Sequence, residues 1–427
     1  MRDLLPNVDW PRASAWILYD TANTVYTATI AFLFAPFVAE TFADRSALGA
    51  TQTVSMILAG LSVPVLGALA DRTRFARSLL WISTLASVGL IATFGQFQSK
   101  WALLGAFFCA NFAFQSALVF YNALLPSVAP MRRTGLISGL GVGFGFGGTV
   151  LTLAFVPGFS AEPANRFLLA SGMFLVMALP CLWCVRDRRD LPQARIDSQL
   201  IGSALRDVRQ TLIGLRSNRP LLLFLIGNFC LTDVLLTATL WFADYTRQTF
   251  DPIWRSGGLE LFGRTYAFDA ERTTTLNGFI ATLGLALNGS ALIFGSLQGA
   301  LADRFHPLQV LRVTGVMLLL ALIAGGLFAG DRPEAYFFGM VIGGAFGMAG
   351  VQTAGRKLLL LMIPREKIGE YFGLYGITTK VSVIGSLTFG VLADSYGLRT
   401  ALFAQSVQAI LGLTCLFMIR VDRIGRS

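Results

Sequence analysis

The chain has 427 residues, 54% of them hydrophobic and only 14% charged. Soluble globular domains carry about 25% charged residues, so the composition argues against a water-soluble fold and for a chain whose solvent is largely lipid. The formal net charge of +10, with 34 basic residues, then belongs on cytoplasmic loops and implies no nucleic-acid partner.

Taken in order, the apolar runs predict twelve membrane helices near the 17–25 residues that a bilayer of roughly 30 Å requires. They cover about 14–37, 51–70, 77–96, 102–126, 136–158 and 166–185, then 221–243, 275–301, 309–329, 335–362, 370–392 and 398–419. No ten-residue segments alternate with period two, which excludes a transmembrane barrel. The first run contains Asp20, unlike the apolar core of a cleaved signal peptide, and is expected to remain in the mature protein. With both termini cytoplasmic, the inner side holds 22 Lys and Arg and the outer loops nine, while Arg356, Lys357 and Lys380 fall within or at the edge of spans. That bias supports the orientation.

Three parts follow: a six-helix bundle over 1–185, a polar linker over 186–219 and a second bundle over 220–427. In the linker, Ile201, Leu205, Val208 and Leu212 share one helical face, opposite Arg206, Asp207, Arg209 and Gln210. This pattern predicts a helix lying on the inner membrane surface. The outer segment 247–274, with Gly257-Gly258, is expected to be a short excursion outside the membrane that could act as a lid.

The chain also repeats itself. Gly67-Ala68-Leu69-Ala70-Asp71-Arg72 returns as Gly299-Ala300-Leu301-Ala302-Asp303-Arg304, and Pro130, Gly135 and Gly139 return as Pro364, Gly369 and Gly373. The copies run in the same direction, which predicts an all-α membrane protein of twelve helices in two parallel six-helix pseudo-repeats, with a site between the halves. Each motif closes an apolar run. The Gly (Gly67, Gly299) lets the helix end approach a neighbour, and the Asp (Asp71, Asp303) can accept hydrogen bonds from a facing helix N-terminus. The Arg (Arg72, Arg304) can meet phosphates or acidic groups. Together they read as a conformational latch on the cytoplasmic rim. The fifth span carries glycine at 139, 141, 143, 145, 147 and 148, which allows close helix contact and bending.

Ionisable residues inside a bilayer are expensive and usually functional. Asp20 shares a face with Asn23, Thr24 and Thr27, Asp233 sits near the middle of the seventh span, and Lys380 is central in the eleventh. One reading makes Asp20 and Asp233 proton-carrying carboxylates and Lys380 an attractor for an anionic substrate group; the other is a static salt bridge from Lys380 to one of the acids. Arg356 stands where the first half has Asn122, either as a gate or carboxylate contact or snorkelling to the inner surface. Asn111, Gln115, Tyr121, Asn122, Asn228, Asn288, Gln352 and Thr353 are either substrate ligands or interhelical hydrogen-bonding groups. Cys109, Cys181, Cys184, Cys230 and Cys415 lie in apolar runs and read as small hydrophobes. Cys181-x-x-Cys184 lacks a second ligand pair, and the single histidine, His306, has no acidic partner in sequence. The chain is therefore expected to be no enzyme, to hold no metal or cofactor and, lacking a nucleotide-binding loop, to perform no ATP-driven transport.

The residues from Gly67 to Arg77 resemble the loop signature of the major facilitator superfamily, with Arg74 where that signature usually has a second glycine. Trp16-Ile-Leu-Tyr19-Asp20-Thr-Ala22-Asn23, Tyr121-Asn122-Ala123-Leu-Leu-Pro126 with Ser138-Gly139, Asp233, and Phe372-Gly373-Leu374-Tyr375 followed by Lys380 resemble its vacuole-effluxer-like branch. That branch includes autophagy-related amino-acid effluxers. Leu231-Thr232-Asp233-Val234 departs from the branch, which has an aromatic, an Asn and a Gly there. The resemblance implies efflux of a small polar metabolite such as an amino acid. Together with the buried ionisable residues, the reading is a monomeric, proton-coupled secondary transporter in a bacterial inner membrane, working by alternating access, with Tyr19, Asp20, Asn23, Asn122, Asp233, Arg356, Tyr375 and Lys380 around substrate and proton. An exporter of sugars, drugs or lipid-like molecules, and a non-transporting receptor on the same fold, stay open as alternatives.

Overall fold

The structure, a computed structural model, describes residues 8–42, 45–72, 75–187, 198–255, 259–266, 272–328, 332–381 and 383–420. The first half contains α1 (Trp10–Thr29, continuing through a π-helical stretch Ile30–Phe34 and Ala35–Phe42) and α2 (Arg45–Asp71). It goes on with α3 (Ala76–Ala92), α4 (Lys100–Ala123), α5 (Thr134–Phe155) and α6 (Pro163–Cys184). The linker carries α7 (Ser198–Leu215). The second half comprises α8 (Arg219–Arg255), a hairpin of β1 (Leu259–Leu261) and β2 (Arg264–Tyr266), α9 (Arg272–Arg304) and α10 (Pro307–Phe328). Its last helices are α11 (Gly344–Met362, entered through Pro333–Tyr336 and a π-helical Phe337–Gly343), α12 (Ile368–Val381), α13 (Val383–Tyr396) and α14 (Leu398–Phe417).

Among the described residues, eleven helical stretches are long and apolar enough to cross a membrane. The remaining expected span, 370–392, falls on α12 and α13, which lie on either side of residue 382, itself outside the described residues. Arg74, Arg188, Arg189, Gly257 and Gly258 lie outside the described residues.

Beyond the apolar run, the outer segment continues α8 and adds the hairpin. α8 runs on to Arg255, because polar groups beyond the apolar run find partners along the helix and on its neighbours. The Tyr245 hydroxyl donates to the Gly325 carbonyl at 2.9 Å, the Thr246 and Tyr336 hydroxyls are 2.8 Å apart, and Gln248 reaches Asp244 one turn back at 3.1 Å. The hairpin beyond it pairs Leu259 with Tyr266 and Leu261 with Arg264. Its two-residue turn puts Phe262 at φ 53° and Gly263 at φ 71°, the left-handed pair that a tight hairpin needs. The Phe262 ring packs edge-on against Phe337 and Phe338.

The halves meet on the face that carries α7, through glycine. On α5, a Cβ at Gly135, Gly139 or Gly143 would run into the backbone of α9, and reciprocally Gly295 and Gly299 of α9 abut α5. A second set on α5, Gly141, Gly145 and Gly148, abuts α1. The glycine-rich helix is thus squeezed between a neighbour in its own half and one in the other. Further from the linker the seam widens, since Gly147 of α5 and Gly284 of α9 have nothing within 4 Å. The seam between α2 and α12 behaves alike: Gly67 and Gly373 are tight against the opposite backbone, Gly60 touches only the Lys380 side chain at 3.7 Å, and Gly49 is open. Both glycine seams are tightest at the linker face and loosen away from it.

Candidate functional site: the seam between the halves

The repeated motifs sit on this closed face. Asp71, at the end of α2, accepts the backbone N–H groups of Gly369 (2.8 Å) and Glu370 (2.9 Å) at the start of α12. Asp303, at the end of α9, accepts those of Gly135 (2.9 Å) and Leu136 (2.8 Å) at the start of α5. Gly135 and Gly369 are themselves repeat equivalents, so each half caps in the other the helix that its partner caps in it. A carboxylate there satisfies two otherwise unpaired donors and meets the positive end of the helix dipole. Gly67 and Gly299 are packed so that a Cβ would overlap the Gly369 and Gly135 carbonyl oxygens respectively. The arginines diverge. Arg72 reaches Ser203 and Asp207 of α7, whereas Arg304 is exposed over the Phe305 ring.

The linker helix also touches the other half. Lys367 donates to the Thr211 hydroxyl at 3.1 Å, so α7 bridges the α2 motif and the turn before α12. Ala204, Thr211 and Leu215 are buried by this docking, while Leu205, Leu212 and Ile213 are exposed.

Deeper in the seam, Arg356 of α11 pairs with Asp20 of α1 at 3.0 Å, both side chains largely buried. Arg356 therefore turns inward across the seam and does not snorkel to the surface. By helix rise, Asp20 lies about 15 Å along α1 and Arg356 about 9 Å back from the end of α11. The first half supports the pair with a stack of rings. Trp16 lies on Tyr121 at 4.4 Å and Tyr19 on the same ring at 4.8 Å. Trp16 Nε1 donates to the Tyr121 carbonyl and the Tyr121 hydroxyl to the Trp16 carbonyl, both at 3.1 Å, and Tyr19 and Thr84 hydroxyls are 2.6 Å apart. The Arg356 guanidinium stands 5.9 Å from the Trp16 ring, within cation–π range. A Cβ at Gly141 would press on Asp20 and Trp16 at 2.8 Å, so glycine on α5 is what admits the acid. Asn23 donates to Asp20 at 3.4 Å, and the amide oxygens of Asn23 and Asn122 are buried with no partner among the described residues.

From the second half, the Tyr375 hydroxyl lies beside Gly355, one residue before Arg356, and near the Asn228 amide. Its ring is parallel to Phe224 at 6.3 Å. Lys380, one turn further along α12, is buried and folds back to donate to the Gly376 carbonyl of its own helix at 3.2 Å. Among the described residues no acid pairs with it, so the salt bridge from Lys380 to Asp20 or Asp233 that the sequence left open is not formed there; Asp20 pairs with Arg356 instead. Asp233 is elsewhere. It points into the second half, where Gln408 of α14 donates to its carboxylate and Gly385 of α13 leaves the room it fills. Asp20 and Asp233 are thus not two members of one site.

Sequence reading passed over Lys357 and Trp16 as site groups. Successive residues on a helix point about 100° apart, so Arg356 and Lys357 serve different partners. Lys357 forms a buried pair with Asp303 within the second half. Two adjacent charges in an apolar helix were the available signal.

A family model described as Major Facilitator Superfamily matches residues 21–377. An uncharacterised MFS-type transporter of Bacillus subtilis (strain 168), YxiO, is 23% identical over 432 residues, covering 95% of this chain and 94% of the relative. Autophagy-related protein 22 of Kluyveromyces lactis is 22% identical over 320 residues, covering 69% of this chain and 60% of the relative. Among solved structures, the human organic anion transporter MFSD10 superimposes with a TM-score of 0.70 at 13% identity, over 95% of this chain and 99% of that one. A single-residue variant of the Escherichia coli fucose:proton symporter FucP gives 0.68 at 13%, over 96% and 98%.

Proposed function

The chain belongs to the Major Facilitator Superfamily, and from that premise we propose that it is a proton-coupled secondary transporter that exports a small polar metabolite, an amino acid or similar, by rocking of the halves. The family and its structural neighbours are membrane transporters and not enzymes. The proposed organisation is twelve spans, with halves 1–185 and 220–427 joined by 186–219. Both ends face the cytoplasm of a bacterial cell, and the unit is a monomer. The distant likeness to autophagy-related protein 22 supports metabolite export, and the fold shared with a fucose:proton symporter supports proton coupling.

The observation that carries the proposal is the Asp20–Arg356 pair, which ties one half to the other inside the apolar layer. A pair spanning the seam can exist only while the seam is shut at that level, so a ligand or proton that competes for either member changes the balance between states. Asp20 is then the coupling carboxylate of the inter-half site, with Tyr19, Asn23, Asn122, Tyr375 and Lys380 around it. Asp233 is a second proton-accepting candidate within its own half. Gly67, Asp71 and Arg72, with Gly299, Asp303 and Arg304, form the latches that hold the cytoplasmic side closed.

Proteoliposomes carrying the purified chain should show pH-gradient-driven flux of at least one amino acid or related metabolite, and D20N should abolish the dependence on pH. Flux that D20N leaves equally dependent on the gradient would contradict the role given to Asp20.

A further inference from the structure

The charges at the seam do not balance. Asp20 and Arg356 neutralise each other, while Lys380, 5% exposed, has among the described residues only its own helix's carbonyl as a partner. The helices packed on α12 offer it no acid at its level. α2 has no charged residue between Arg45 and Asp71, and α4 none after Lys100. Asp233 of α8 is turned toward α13 and α14, and Glu370 lies near the linker face beside Lys367 at 3.6 Å. Lys380 is on the seam itself: its side chain is 3.7 Å from a Cβ placed on Gly60 of the opposite half, and its ammonium lies at Gly376, next to Tyr375. A buried cation without a counter-charge is unfavourable and is usually paired or binds an anion.

We propose that the substrate carries a net charge of −1, with its carboxylate or equivalent anionic group neutralising Lys380 and the rest of the molecule lying along Tyr375 toward the Asp20–Arg356 pair. The inference rests on the transport reading above and narrows it. A neutral amino acid, whose ammonium and carboxylate cancel, leaves the seam one positive charge in excess; a monocarboxylate or an acidic amino acid does not. The uncompensated lysine therefore selects organic monoanions over zwitterions of the same size. Tyr375 and the unpartnered amide oxygen of Asn122 would hydrogen-bond the polar remainder.

The test is ligand-induced thermal stabilisation of the purified full-length chain at constant ionic strength. The probes are shape-matched: acetate, lactate and glutamate as potassium salts, acetamide, lactamide and glutamine as neutral counterparts, and ethylamine and lysine as cations. At least one acid is expected to raise the midpoint while its amide does not. K380M should weaken that acid at least tenfold, and K380R should restore most of the effect. Without ligand, K380M should melt no lower than the wild type, because it removes an uncompensated charge; a lower midpoint would reveal a hidden counter-charge and overturn the proposal. Stabilisation by amides or amines in place of acids, or acid binding untouched by K380M, would remove the substrate class and leave the transporter reading standing. If no probe of any charge stabilises the chain and no metabolite moves in proteoliposomes, both fall.

Discussion

The two repeated motifs begin from identical letters and end in different electrostatics. At both, an aspartate closing one helix caps the N-terminus of a helix in the other half, over a glycine that leaves no room for a side chain. Around Asp303 the charge is compensated from below by Lys357. Around Asp71 the next residue in line is another acid, Glu370, itself buried and held by Lys367 at 3.6 Å, and the motif arginine turns to the linker helix. The duplicated part is therefore the helix cap, and the charges around it have been reassigned. One cap stands beside a buried ion pair inside its own half, the other beside the linker helix, which touches both halves.

That comparison can be broken in several ways. The largest effect is expected for D303N, which leaves the Lys357 ammonium buried without its partner. Breaking a buried pair from one side costs about 3–5 kcal/mol, and a fall in unfolding midpoint well beyond that of D71N would register it. G67A and G299A come next. Each adds a methyl where a carbonyl oxygen already stands, an overpacking cost of about 1–3 kcal/mol that separation of the halves relieves, so thiol labelling of a cysteine placed at the linker face should speed up in both. D71N should be milder, about 1–2 kcal/mol from weakened capping, because losing that charge also relieves Glu370. Equal destabilisation by D71N and D303N would mean that Lys357 contributes nothing special to its latch. The smallest change belongs to D207A. The Arg72–Asp207 pair is partly exposed, at 35% and 23%, and after solvent screening such pairs are worth about 0–1 kcal/mol. Limited proteolysis of α7 should accelerate in D207A with little change in the overall midpoint.

The caps, the repeat and the depth of the charged residues could be read from the chain because each depends on local spacing. An Asp closing an apolar run, repeated at half the chain length, has few uses other than a helix cap. Partnership across the seam could not be read. Helical periodicity tells which residues share a face with Asp20, and nothing in it says that Arg356, 336 positions away, lies opposite. The same gap separates Asp20 from Asp233: both are single acids in apolar helices, yet one faces the other half and the other fills a space left by Gly385 within its own. In the outer segment, the hydrogen bonds along and between helices that satisfy its polar residues are likewise not reported by composition.

Asp20 and Arg356 hold the halves together in the state closed at the linker face, and that tie is open to direct measurement. Spin labels at Arg132 and Phe305, both exposed and on opposite sides of the α5–α9 seam, report the closure without knowledge of the substrate. In the wild type the distance distribution should be dominated by one short component, and R356Q should add a longer one as the seam opens. An unchanged distribution in R356Q would contradict the role of the pair.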